Sequence, residues 1–86
     1  MADEPYQPIA CADYDIYEIA IMQGRLLALE WTSLSDETVK QIVKPLQLQI
    51  QHGAEYLIYE FNNDMHEKNS LRLDKIAHAK ILTEDL

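Results

Sequence analysis

The chain is poor in the residues that bend, staple or break a backbone: two glycines, three prolines and one cysteine in 86 residues. A lone cysteine, Cys11, excludes an intrachain disulfide, and the setting expected for it is reducing and cytoplasmic. With glycine only at Gly24 and Gly53, a P-loop, a Gly-rich phosphate cradle and a GxSxG nucleophile elbow are all excluded. No apolar run reaches the ~18 residues of a membrane-crossing helix. The opening MADEPYQP has neither the basic nor the apolar block of a signal peptide. Nor is there a Lys or Arg before Arg25, although three tyrosines (Tyr6, Tyr14, Tyr17) crowd that same stretch.

An apolar fraction of 48% suits one folded domain, expected over residues 1–86. The formal charge is −8 and is unevenly placed. Asp3, Glu4, Asp13, Asp15 and Glu18 precede Gly24 without a single base, while the rest of the chain balances ten acids against seven bases. An acidic end of this kind favours a basic partner and repels naked nucleic acid. The bases Arg25, Lys40, Lys44, Lys68, Arg72, Lys75 and Lys80 are dispersed, with no aromatic-interleaved basic patch.

Pro5 and Pro8 predict an extended arm over residues 1–10. A helix is predicted over residues 13–23, with Asp13 as N-cap and Gly24 as the residue that closes it. Helical spacing puts Ile16, Ile19, Ala20 and Gln23 on one face, with Met22 at its edge; this aliphatic face is expected to dock. Tyr14, Tyr17, Glu18 and Ile21 share the other face, with Asp15 beside Glu18.

From Arg25 the period changes to two. Leu27, Leu29 and Trp31 alternate with Ala28, Glu30 and Thr32. SLSDET signals a turn around Ser35 and Asp36, and TVKQIVK fits either strand or helix. In LQLQIQ the alternation predicts Leu46, Leu48 and Ile50 inward, and HG ends that run. AEYLIYEF is rich in strand formers, and NND marks the next turn. A strand through Leu71 and Leu73, a turn near Asp74 and a last strand complete the chain. Leu29, Leu57 and Tyr59 (or Tyr56 and Ile58), Leu71 and Leu73 are the predicted core. The fold class expected is mainly β with one N-terminal helix, a small bent antiparallel barrel over residues 25–82 that closes to hide its edges.

Catalytic and metal chemistry find no foothold. His52, His66 and His78 have no cysteine neighbours and no ligand spacing, so they read as surface or structural histidines and no metal is expected. Cys11 has no basic neighbour to activate it and reads as a buried or half-buried small apolar residue. Asp13, Asp15 and Glu18 lack the contrasting environments that an acid/base pair needs. They read instead as helix-capping, solvated groups or as an acidic recognition face, with Tyr beside charge typical of interface anchors. No enzyme and no cofactor are expected.

The run YQPIACADYD with Glu18 after it resembles the N-terminal signature of the Rof family, Rho-binding antiterminators of bacteria. EYLIYE followed by LRLDKI resembles that family's later strands, so the similarity runs from Tyr6 to Ile76 and is loosest between Trp31 and Ile50. The resemblance implies an Sm-like fold and a partner, the helicase Rho, bound at the primary RNA site of its N-terminal OB domain so that termination is inhibited. It implies a Rho-binding set of Tyr14, Asp15 and Glu18 with Asp13 beside them, and more weakly Tyr17 and the loop Gln51, His52 and Gly53. That loop lacks the basic and Asn residues of the family, and Ala12 stands where an acid can stand. A monomer without direct nucleic-acid contact is expected; the alternative is an Sm-like RNA-binding module acting as an oligomeric ring.

Overall fold

The computed structural model describes residues 7–33, 35–61 and 64–82, and side chains in the last segment from residue 67. The extended Ala10 (φ −66°, ψ 148°) leads into helix α1 (Cys11–Gln23). The helix therefore starts two residues ahead of the expected position. Asp13 is not its N-cap: the Asp13 N–H already donates to the Ala10 carbonyl at 3.0 Å, which makes it a first-turn residue. Its carboxylate still sits where the helix dipole favours negative charge. Gly24 closes the helix in the left-handed region at φ 65°. Its N–H reaches the Ile21 carbonyl at 3.2 Å and the Arg25 N–H reaches that of Ala20 at 2.9 Å, a Schellman closure.

Five antiparallel strands follow: β1 (Leu27–Thr32), β2 (Thr38–Gln51), β3 (Ala54–Phe61), β4 (Asp64–Arg72) and β5 (Ile76–Ile81). They form one sheet in the order β4-β3-β2-β1-β5. TVKQIVK thus belongs to a strand, and the turn at Ser35 and Asp36 is present, with Asp36 at φ 64°. His52 and Gly53 join β2 to β3 with φ 52° and 80°, between the paired Gln51 and Ala54. Positive φ at both central residues is what a two-residue hairpin turn needs to match strand twist. The NND turn at Asn62 and Asn63 lies outside the described residues, as do Tyr6 and the start of the arm.

The helix-then-strands plan is the expected one, but the sheet does not close into a barrel. Its outer strands β4 and β5 are joined by a 3-10 turn (Leu73–Lys75) and do not pair with each other. The bends that closure demands come from glycine and bulges. Neither glycine lies inside a strand, and among the described residues bulges occur only near Trp31, Pro45 and Tyr59. The bulge between Pro45 and Gln47 also resets the alternation of β2. Val43 and Pro45 are buried before it, Leu46 and Leu48 are half-buried across it, and Ile50, expected inward, is 70% exposed.

Leu27, Leu29, Val43, Leu57, Tyr59 and Leu73 form the core with Tyr17 and Ala20 of α1. Tyr59 meets Phe61 edge-on at 5.4 Å between ring centroids and lies 6.5 Å from Trp31. Of the two sets offered for β3, Leu57 and Tyr59 face inward, while Tyr56 and Ile58 are half-buried on the other side. Leu71 packs half-buried against the core.

Asp74 ties the start of the chain to the end of the sheet. It accepts from Arg72 Nε at 3.0 Å and Arg72 Nη2 at 2.6 Å, and from the Gln7 N–H at 2.9 Å. Burial alone would raise its carboxyl pKa. The Arg72 and Gln7 hydrogen bonds, with the charges of Arg72 and Lys75, outweigh that and hold it below the ordinary 3.8. A carboxyl depressed on folding stabilises fully above its unfolded value and loses that contribution as pH falls through the folded one. Asp74→Asn is expected to cost about 1.5–3 kcal/mol near neutral pH, and much less at about pH 3, by urea unfolding. Equal losses at both pH values would show that the ionised carboxylate is not what matters.

Candidate protein-docking face

The helix sorts its carboxylates by azimuth. Residues three, four and seven apart share a side, and Tyr17 and Ala20, both buried, fix which side is inner. Ile16, Ile21 and Tyr14 pack half-buried beside them. The expected aliphatic docking face is thus corrected: Ile19 is 40% and Met22 77% exposed, and Gln23 is exposed. Tyr17, a candidate contact by sequence, is a core residue whose phenol is pushed up to about 12 by burial and then by the charge of Asp13. Cys11 is helical and exposed, not buried as expected, because the helix begins with it and turns its side chain outward.

Asp15 and Glu18, three apart, lie on the outer ridge, both exposed and neither in an ion pair among the described residues. Tyr14 borders that ridge. Desolvation raises its phenol pKa first, and the charges of Glu55 and Glu18 add to the effect. Glu55 is the second residue of β3, two places beyond the exposed Gln51-His52-Gly53 turn. Asp13 stands apart. It shares a side with Tyr17 and lines a small cleft with Leu73, Ile76 and His78. The structure therefore brings Glu55 within electrostatic reach of Tyr14 beside Glu18, a neighbour that its distance in sequence had hidden.

The register makes a second cluster that the dispersed bases did not suggest. Glu30 is paired with Lys40 on one side and His78 on the other, and Ala28 with Ile42 and Lys80. These residues line an open groove of about 540 Å³, to which neither α1 nor the 51–53 turn contributes. Among the described residues no group of three or more His, Cys, Asp or Glu side chains is placed to hold a metal. No described helix is long and apolar enough to cross a membrane.

The elements define a small, mainly β protein in which a helix with three exposed carboxylates, two of them on its outer ridge, lies over an open antiparallel sheet. No family model matches the chain. It is 39% identical over 84 residues to Protein rof of Escherichia coli (strain K12), covering 94% of this chain and 92% of that one, and equally to Protein rof of Shigella flexneri. The chain belongs to the Rof family. Its fold is also similar to part of proteasome accessory factor B/C (PafBC) of Arthrobacter aurescens, with a TM-score of 0.72 and 25% identity, over 87% of this chain but 12% of that one.

Proposed function

We propose that the chain binds transcription termination factor Rho at the primary RNA-binding site of its N-terminal OB domain and inhibits Rho-dependent termination by blocking RNA loading. The observation that carries this is the pair Asp15 and Glu18, exposed and without ion-pair partners among the described residues, on the outer ridge of α1 in a Rof-family chain. Cationic grooves that hold nucleic acid are complementary to such carboxylates. Tyr14 and Glu55 extend the surface, the Gln51-His52-Gly53 turn lies at its margin, and Asp13 acts from the flank. Tyr17 supports the helix from below. The protein acts in the cytoplasm as a monomer, by binding and not by catalysis, and needs no cofactor.

A second reading, an Sm-like RNA-binding module working as a ring, draws on the groove that Lys40, His78 and Lys80 line. It requires an oligomer by size exclusion and a direct RNA gel shift. The inhibitor is expected to run as a monomer and shift no RNA.

Binding Rho and blocking its RNA site are separable claims. Titration into Rho carrying a fluorescent pyrimidine oligonucleotide confined to the primary site is expected to displace it at stoichiometric protein. Raising salt weakens both ligands together, since they compete for the same cations. A stable ternary complex at saturation would overturn site obstruction.

A further inference from the structure

Helix α1 is apolar on both sides. Tyr17, Ala20, Ile16 and Ile21 supply its core side, yet Ile19 and Met22 point away at 40% and 77% exposure. Two large apolar side chains exposed side by side among carboxylates form a small patch of the kind that interaction surfaces use. Asp15 precedes Ile19 by four residues and Glu18 precedes Met22 by four, so along one ridge a pair of carboxylates is followed by a pair of apolar side chains. Whatever covers this ridge must offer apolar pockets with cations at their rims.

The charge decides among occupants. A second copy carries the same −8, so two chains repel. An anionic lipid surface repels the carboxylates as well. A protein groove built for single-stranded nucleic acid has the required chemistry, because it places cations along the backbone and aromatic or apolar platforms under the bases. We infer that Ile19 and Met22 enter base-stacking pockets of such a groove while Asp15 and Glu18 meet its phosphate-binding cations. The helix thus replaces both halves of a nucleotide, base and phosphate. This rests on the proposed Rho reading and assigns which part of the RNA site each side chain takes.

The two halves separate by salt. Ile19→Gln with Met22→Gln keeps good helix formers on a solvated face, so the thermal midpoint stays put. This variant is expected to bind Rho at least about tenfold more weakly, with an unchanged slope of log Kd against log salt. Asp15→Ala with Glu18→Ala is expected to flatten that slope, because fewer charges are paired on binding. Unaltered affinity in the glutamine variant, with the parent binding normally, overturns the inference. So does a parent dimer in sedimentation equilibrium that the glutamine variant lacks while still binding Rho fully, since a second copy then covers the ridge. A parent chain that binds no Rho at any salt overturns the proposed function itself.

Discussion

Reversing both ridge charges, Asp15→Lys with Glu18→Lys, is expected to remove Rho binding at every concentration that saturates with the parent. Truncating one buried interfacial charge costs about 2–5 kcal/mol, and reversal adds repulsion from the cations that the carboxylates had met. Two such sites weaken binding by at least about a thousandfold, the equivalent of ~4.1 kcal/mol. The fold should survive, because both side chains are exposed and neither is in an ion pair among the described residues. Lysine is a good helix former, and the lost dipole interaction is worth about 0.3–1 kcal/mol per charge. Circular dichroism and the thermal midpoint check that. Asp13→Lys is the internal comparison. Its carboxylate lies on the flank beside Tyr17, so its loss should be clearly smaller than that of either ridge residue. Parent-like affinity in the double reversal would end the phosphate-mimic reading, and an Asp13 effect as large as the ridge effect would move the contact to the flank.

Local signals were legible in the sequence wherever one residue type decides the backbone. Gly24 closes α1 and His52-Gly53 turns the β2–β3 hairpin because only left-handed φ serves there. Leu27, Leu29, Leu57 and Tyr59 alternate inward because a regular strand carries its period without interruption. Period could not show where the core ends or where the strand bulges: Ile50 shares a face with Leu48 but lies opposite Glu55 at the hairpin end of β2, beyond the core, and the bulge after Pro45 leaves no periodic trace. Pro45 itself was the available clue, since a strand proline that cannot donate to the ladder belongs at an edge or a bulge. Barrel closure was expected because it hides edges, but the chain stops short of it, with β4 and β5 at the sheet's two margins.

The helix faces were ambiguous for a different reason. Ile16, Ile19 and Ala20 form an apolar arc, and Tyr14, Tyr17 and Ile21 form another, so spacing alone cannot choose between them. Ala20 and Tyr17 settle it in the structure, because the sheet accepts a small residue at one point and a large ring next to it. The acids that lie within one helix, Asp15 and Glu18, could be grouped from spacing. Glu55 could not, because only the β2–β3 hairpin brings it to Tyr14. The same holds for Lys40, His78 and Lys80, which strand register alone assembles.

Leu57→Ala is expected to take away a large part of the stability of the chain. Leu57 is fully buried and lies between Leu48 of β2 and Leu71 of β4 in the sheet, so its truncation leaves a cavity that two paired strands cannot readily collapse. Such losses run about 2–5 kcal/mol. At ~0.05–0.15 kcal/mol per residue, a domain this size has roughly 4–13 kcal/mol in total. In a domain of this length each kcal/mol moves the thermal midpoint by about 4–8 °C, so a fall of at least about 10 °C is expected. Ile50→Ala is the contrast, since alternation puts Ile50 on the face of Leu48 while its place at the hairpin end of β2, opposite Glu55, leaves it 70% exposed. Its midpoint should stay near the parent's, within the ±0.5 kcal/mol usual for surface changes. Comparable losses at both positions would mean that the core extends along β2 to its hairpin end. A stable Leu57→Ala would mean that β3 turns its other face, Tyr56 and Ile58, to the core.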